Sequence, residues 1–144
     1  MSGRRHHALT RHLQRGQALL ETAITLPVML IFLLGFLAVL IRVEAQVELD
    51  TATSLAAAAA VTAPVGSALS SEYANQTWRG TLRQYSYLTP NRLYGCGPYQ
   101  LGDAVTCRGS ADLDYRQTPM ALVVPYKLTI ESTATARSSR YRSR

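Results

Sequence analysis

The feature that most constrains this chain is an uncharged apolar run from Ala23 to Ile41, AITLPVMLIFLLGFLAVLI. Its nineteen residues, at a helical rise of about 1.5 Å each, reach about 28 Å, close to the ~30 Å hydrocarbon core of a bilayer. The run therefore predicts a single transmembrane helix. A chain of 144 residues that places this segment in a membrane has room for one small domain outside it.

The two sides of the run differ in charge. The first sixteen residues contain four arginines and no acidic residue, whereas the segment that begins at Arg42 mixes both signs. By the positive-inside rule, the N-terminus is cytoplasmic and everything after about Arg42 is extracytoplasmic. Without that N-terminal stretch, 11 basic residues face 9 acidic ones. The basicity is therefore a property of the tail, and we expect no nucleic-acid partner.

A cleaved secretory signal is an alternative for the N-terminus. Val43-Glu44-Ala45 loosely resembles a small-residue cleavage site. The uncharged run is longer than the roughly 7–15 residues of a typical signal core, which favours a retained anchor.

Good helix formers continue beyond the run and predict one helix from about Gln17 to Ala63, ended by Pro64 and Gly66. The outer half of this helix is expected to have a smooth apolar side suited to close helix packing, formed by Val43, Val47, Leu49, Leu55, Ala56, Ala59 and Ala60. A second, shorter amphipathic helix is predicted after it, capped by Ser70 or Ser71, with apolar positions Leu69, Tyr73, Trp78, Leu82 and Tyr85.

The rest of the chain predicts a small head with little helix. Turn residues indicate a loop-rich segment from Thr89 to about Asp114. Strict alternation predicts a half-buried strand over Met120 to Glu131, with Pro125 favouring an edge position. The polar stretch from Ala134 to Arg144 is expected to be frayed.

These elements define an α+β fold and four segments. They are a basic cytoplasmic leader (1–16), a transmembrane and continuing helix (17–63), a small extracytoplasmic head with a short helix, a stapled loop and antiparallel strands (64–137), and a polar tail (138–144).

The two cysteines, Cys96 and Cys107, both lie on the predicted outer side. Disulfides persist in oxidising compartments outside the cytoplasm, so we expect these cysteines to pair. A closed loop of that length typically contributes about 2–4 kcal/mol to stability. Because the head is so small, this bridge would be important for its stability.

No set of catalytic residues can be assembled outside the membrane. The three histidines, His6, His7 and His12, lie in the leader, so the head lacks a histidine for nucleophilic catalysis or for a His-ligated metal. The acids of the loop-rich segment, Asp103, Asp112 and Asp114, lack the ordered spacing of a calcium loop and are expected to be solvated. We expect no metal, no cofactor and no enzymatic activity.

Glu21 is the ionisable residue that interrupts the apolar segment between Ala18 and Ile41. A carboxylate near the bilayer centre costs about 2.5–3.5 kcal/mol, less near an end of the span, and usually has a partner. Alone, this residue is equally well explained as an interfacial glutamate that reaches back to Arg15. Its neighbourhood is more informative, because a basic residue and a glycine precede it in Arg15-Gly16-Gln17-Ala18-Leu19-Leu20-Glu21.

This arrangement resembles the processing site of type IV prepilins. The short length, the Arg-rich leader, Pro27 and the Ala-rich stretch Ala56–Ala60 make the chain similar to the TadE/TadF-like pseudopilins of tight-adherence pili. The resemblance covers Arg15 to Ala63 and is weak thereafter. Thr22 replaces the aromatic residue common after the glutamate, which bears on the subfamily more than on processing.

The resemblance implies a mode of maturation and assembly. A membrane prepilin peptidase would cut after Gly16, Gln17 would become the first residue, and Glu21, then the fifth, would pair with the N-terminal amine of a neighbouring subunit. The implied partners are that peptidase, other pilin or pseudopilin subunits and the assembly platform. The implied location is the bacterial cytoplasmic membrane or a surface pilus that serves adhesion or secretion. The alternative from another class is an unprocessed, signal-anchored accessory protein whose head binds a partner.

Overall fold

The computed structural model describes residues 4–121, 123–124 and 126–138, with side chains from residue 19 onward within those ranges. The elements in chain order are helices α1 (Arg4–Ala60) and α2 (Leu69–Leu82), strands β1 (Leu88–Tyr94) and β2 (Ala104–Asp114), a short 3-10 helix (Tyr115–Gln117) and strand β3 (Lys127–Arg137). Together with a Cys96–Cys107 disulfide, they confirm the predicted α+β class.

The contacts divide the chain into two units, Met1–Leu37 and Ala38–Arg144. In the first unit, α1 begins at Arg4, earlier than the predicted start near Gln17. Its large apolar side chains are exposed, up to 75% for Phe32. From Leu19 onward α1 contains a stretch long and apolar enough to cross a membrane, none of it buried by protein. The sequence prediction of a membrane-spanning segment agrees with this helix.

In the second unit, a three-stranded antiparallel sheet has the order β1-β2-β3. Strand β2 is central and pairs along its whole length with β3, from Ala104 opposite Arg137 to Asp114 opposite Lys127. The edge strand β1 contains Pro90, and the register shifts between Pro90 and Arg92. An edge position tolerates proline because its missing N–H is not required for a second ladder.

The part of α1 within this unit packs on the sheet through small side chains. Its buried positions recur every three or four residues, which is the period of one helix face. They are Ala45, Leu49, Ala52, Thr53, Ala56, Ala57 and Ala60.

This face is not the one expected from the sequence. Val43, Val47 and Leu55 are about half exposed, at 55%, 56% and 46%. The prediction of a single smooth apolar side containing these residues was wrong, because their larger side chains lie away from the sheet. The buried face uses small residues, which let the helix backbone approach the strands.

The closest approach of α1 to the sheet is at Gly109 in β2. A Cβ atom at Gly109 would lie 2.8 Å from Thr53 Oγ1 and 2.9 Å from Trp78 Nε1. Both Thr53 and Trp78 are fully buried. A glycine inside a strand often marks a site where another element comes close, and here α1 and α2 both do.

Helix α2 buries Ser70, Ala74, Trp78 and Leu82, spaced four residues apart. The expected apolar face was partly wrong, since Leu69 and Tyr73 are 42% and 41% exposed. The cap also differs from the prediction. Ser67 Oγ accepts the Leu69 N–H at 2.9 Å, whereas the hydroxyls of Ser70 and Ser71 donate back to carbonyls. The N-cap itself is Ala68, which has no capping side chain, so the Ser67 hydroxyl makes its bond from one residue before the cap.

Three predictions about the sheet were wrong. Residues 89–114 contain strands β1 and β2 in addition to loop. The predicted strand at Met120 starts at Lys127, because the Val123 and Val124 N–H groups both donate to Met120 O in a turn. The segment from Ala134 to Arg137, expected to fray, is part of β3 and pairs with β2. Pro125, for which an edge position was expected, and residues 139–144 of the expected tail lie outside the described ranges.

We expect Gly109→Ala to destabilise the head by about 1–3 kcal/mol, the usual cost of overpacking a filled core. Gly80→Ala is the matched control, because a Cβ at that helical position meets nothing within 4 Å. It should stabilise the head by about 0.5–1 kcal/mol, since alanine favours a helix over glycine. The urea midpoint of each variant is measured from the fluorescence of Trp78, the sole tryptophan. Equal midpoints for the two variants would contradict the close approach.

Candidate functional site

The predicted processing and assembly residues lie in the first unit. Gly16 and Gln17 are within the backbone of α1, and their side chains lie outside those described. Glu21 is exposed, one turn after Gln17. The helical backbone places residues 17 and 21 on the same side of α1, because positions four apart are neighbours on a helix surface.

The surroundings of Glu21 are open and apolar. Its side chain borders a shallow depression on α1, lined also by Thr22, Thr25, Leu26 and Met29. All five residues come from one helix, so the depression is not an enclosed cleft. Among the side chains described from residue 19 onward, the ion pairs all involve Asp114. Glu21 therefore has no cationic partner within that part of the chain.

The disulfide lies in the second unit, as the sequence predicted. Cys96 follows β1 and Cys107 lies within β2, both are buried, and their Cα atoms are 4.8 Å apart. Near it, Tyr99 Oη is 2.7 Å from the carbonyl oxygens of both Val61 and Ala63. Its single proton is donated to one of them at a time. This hydroxyl ties the loop after Cys96 to the turn that follows α1, which ends at Ala60.

At the other end of β2, Asp114 forms a charged cluster. The carboxylate accepts hydrogen bonds from Arg116 Nε at 3.0 Å and from Arg116 Nη2 at 3.1 Å. It also accepts from the Arg116 backbone N–H, and Lys127 Nζ lies 3.8 Å away. These hydrogen bonds and charges hold the pKa of Asp114 below its usual range and raise the pKa of Arg116.

The expectation that Asp114 is a solvated loop acid was wrong. It is 7% exposed and ends a strand. A carboxylate in that position requires compensation, and Arg116 supplies it in a two-pronged geometry that fixes both groups. Asp112, by contrast, accepts from the Thr129 hydroxyl on the exposed side of the sheet.

Two tyrosines face acidic residues on α1. A hydrogen bond to Glu48 raises the pKa of Tyr85. Burial raises the pKa of Tyr87, and the negative charges of Glu44 and Glu48 add to that shift. The hydroxyl of Tyr87 has no hydrogen-bond partner among the described atoms. Both phenols therefore stay neutral at physiological pH.

A second pair of tyrosines lies where the 3-10 helix leaves β2. Tyr115 Oη is 3.4 Å from the carbonyl oxygen of Ala38, and its ring centroid is 5.7 Å from that of Tyr126. Burial raises the pKa of Tyr115, and the nearby positive charge of Arg42 opposes that rise. This end of the sheet therefore lies beside the part of α1 where the uncharged run ends.

The described side chains offer no metal centre, since no three His, Cys, Asp or Glu among them converge. The expected absence of metal, cofactor and catalysis stays a prediction.

Sequence reasoning missed two features of the head. Asp114 had a usable signal, an acid followed by Arg116 two residues later at the end of an alternating segment. Gly109 had no local signal, because its role depends on Thr53 and Trp78, which are distant in sequence.

We expect Asp114→Asn to lower the urea midpoint of the head at pH 7 and to flatten its acid dependence. The pKa of Asp114 is lowered in the folded state. Its contribution to stability is therefore present above the unfolded pKa of about 3.9 and is lost as pH falls through the lower folded value. Asparagine keeps Oδ1 as the acceptor for the Arg116 backbone N–H and Nε, and removes the charge together with the Oδ2 acceptor of Nη2.

Trp78 fluorescence in urea from pH 7 to pH 2 measures this effect. Glu131→Gln removes one exposed carboxylate from the same sheet and controls for net charge. An Asp114→Asn variant that loses stability with acid as steeply as the wild type would show that the Asp114 cluster is not responsible.

Comparisons with family models, with curated proteins and with solved structures give no match for this chain. The resemblance to TadE/TadF-like pseudopilins therefore depends on the chain's own residues, chiefly Arg15 to Glu21 and the apolar helix that follows. The geometry itself supports a membrane-capable helix and a disulfide-bonded α+β head.

Proposed function

We propose that this chain is a prepilin-like structural or assembly subunit of a Tad-type pilus. It would be inserted as a single-pass protein of the bacterial cytoplasmic membrane, with the N-terminus inside and the head outside. A prepilin peptidase would cut after Gly16. The matured chain would then join other pilin or pseudopilin subunits through the assembly platform.

The observation that carries this proposal is the position of Glu21. It is the single ionisable residue between Ala18 and Ile41, it is exposed, and the described side chains give it no cation. A carboxylate in a membrane helix usually faces a partner. Cutting after Gly16 would make Glu21 the fifth residue and would create an amine four residues before it.

The new amine supplies the missing partner. An α-amino group has a pKa near 8, so most of it is protonated at neutral pH. Burying it at the start of an apolar helix is costly unless a carboxylate compensates it. Within one chain, residues 17 and 21 lie a turn apart. Between staggered neighbours, the same two groups can join subunits, which is the arrangement that the family resemblance implies.

The cleavage point also has a suitable local chemistry. Gly16 lies within helical backbone, where glycine is less favourable than alanine by about 0.5–1 kcal/mol. Local unwinding into the extended form that a peptidase binds is therefore easier here than at a typical helical residue. The absence of a side chain at Gly16 also removes a source of steric conflict in the peptidase site.

The head supports an extracytoplasmic location. The Cys96–Cys107 bridge requires an oxidising compartment to persist. The leader and its arginines lie on the opposite side of the apolar run, consistent with the positive-inside rule. We propose no catalytic role, no cofactor and no nucleic-acid partner for this subunit.

The first test is Gly16→Leu, which should accumulate full-length precursor in the native host. Wild-type protein should begin at Gln17 when its N-terminus is read by mass spectrometry. Gly35→Leu is the matched control, because Gly35 lies in the same helix and a Cβ there meets nothing within 4 Å. It should be processed normally. Wild-type protein that retains residues before Gln17 would favour the unprocessed accessory protein.

The second test is Glu21→Ala, which should leave insertion and cleavage intact and reduce assembly. Removing a carboxylate makes the span more apolar, so insertion survives. An unpaired amine in a desolvated interface costs several kcal/mol, so lateral association suffers. Cleaved protein in membranes is compared with protein in filaments or crosslinked complexes. Thr25→Ala, one turn away and also exposed, should assemble normally. Normal assembly by Glu21→Ala would leave Glu21 an ordinary interfacial residue.

A further inference from the structure

The end of the sheet that carries Asp114 presents exposed apolar and basic side chains together. Val123 and Tyr126 are 51% and 59% exposed. The side chains of Arg116 and Lys127 are 58% and 49% exposed, and Arg42 is exposed on α1. We name these five residues, Arg42, Arg116, Val123, Tyr126 and Lys127, the basal surface.

The basal surface lies at the level where the apolar run of α1 ends. Tyr115 Oη is 3.4 Å from Ala38 O, and Tyr126 stacks at a tilt against Tyr115. Ala38 precedes Ile41, the end of the uncharged run, by three residues, or about 4.5 Å along the helix axis. A bilayer that covers the run up to Ile41 therefore meets the basal surface as well.

We propose that the basal surface rests in the headgroup region of the membrane that α1 crosses, with Val123 and Tyr126 entering the interface and the three cations contacting lipid phosphates. This inference rests on the membrane anchorage in the proposed function, but not on processing or pilus assembly.

The chemistry of the basal surface suits a lipid interface. Tyrosines with an apolar ring and a polar tip are enriched at the boundary between hydrocarbon and water. The five residues include three cations and no acid. The carboxylate in contact with them, Asp114, is 7% exposed and already bonded to Arg116, and the exposed Glu44 on α1 is two residues from Arg42. Basic side chains next to a membrane helix are attracted to anionic lipids.

The bonds to Asp114 leave part of the Arg116 guanidinium free for a second partner. The two side-chain hydrogen bonds occupy Arg116 Nε and one proton of Nη2, and a guanidinium has five N–H donors. The remaining donors are directed away from Asp114 and can reach a phosphate. Lys127 Nζ, 3.8 Å from Asp114 Oδ2, is too far for a hydrogen bond to it.

Nitroxide labels on single introduced cysteines test the proposal in the full chain, with the native disulfide intact. Val123→Cys reports the basal surface. Val65→Cys is the matched control, since Val65 is also a valine in a turn and is 48% exposed, but it follows the other end of α1. Leu33→Cys reports whether the helix is in the membrane. Trp78 fluorescence confirms that each labelled head is folded.

The protein is reconstituted at high dilution in vesicles of phosphatidylcholine and phosphatidylglycerol, and the accessibility of each label to oxygen and to a water-soluble nickel chelate is measured. We expect the oxygen-to-nickel ratio at Val123 to lie between those at Leu33 and Val65. The Val123 label should lie less deep in vesicles of phosphatidylcholine alone. An equal depth would overturn the role of the cations.

Three other results overturn the inference in distinguishable ways. If the oxygen-to-nickel ratio at Val123 equals that at Val65 while the Leu33 label is in lipid, the membrane contact is rejected and the anchorage stands. An aqueous Leu33 label rejects the anchorage itself. A protected Val123 label that shows spin–spin broadening, removed by dilution with unlabelled protein, assigns the basal surface to a second copy of the chain.

Discussion

The head depends on the close contact between the small-residue face of α1 and the centre of β2. At that contact, Thr53, Gly109 and Trp78 leave no space for one more methyl group. Van der Waals contact of this kind fixes the register of the helix along the strands, because a shift by one turn would place either the larger Leu49 or the smaller Ala57 over Gly109.

The other contacts follow from that register. Towards the disulfide, Tyr99 reaches the carbonyls of Val61 and Ala63 in the turn after α1. In the opposite direction, Gln46 Nε2 donates to Glu131 O at 2.9 Å, and Tyr115 reaches Ala38. The sheet therefore runs alongside α1 down to the residues that end the apolar run, and the basal surface is a consequence of the packing at Gly109.

The sequence predicted the elements governed by local chemistry. The apolar run and the pairing of Cys96 with Cys107 follow from composition and turn residues, and the structure agrees. The helix ends at Ala60, three residues before the predicted end at Ala63. For α2, periodicity located the helix and the buried positions Trp78 and Leu82, but it wrongly included Leu69 and Tyr73 in the buried face. The buried positions include Ser70 and Ala74, which an apolarity pattern does not select, because proximity to the sheet favours small residues there.

The strands were harder to predict because tertiary contacts overrule the local pattern. Met120 and its neighbours alternate like a strand, yet they form a turn. The inward side of β3 beyond Ile130 uses Ser132, Ala134 and Ala136, whose polarity and size resemble those of a disordered tail. Ser132 is buried and Ala134 and Ala136 are half-buried. They lie in a strand that forms by pairing with β2, which a single segment does not reveal.

The two carboxylates that matter most for this chain differ in where their compensation comes from. Asp114 obtains it within the head, from Arg116 and Lys127, and so it needs nothing from outside. Glu21 lies in an apolar helix, and the described side chains offer it no cation. A desolvated carboxylate without a partner is unfavourable, so Glu21 would be stabilised by a cation from outside the described part of the chain. Under the proposed function, that cation is an amine that does not exist until the bond after Gly16 is cut. Cleavage would then do more than remove a leader, because it would create the positive charge that makes lateral association favourable. Processing would therefore have to precede assembly.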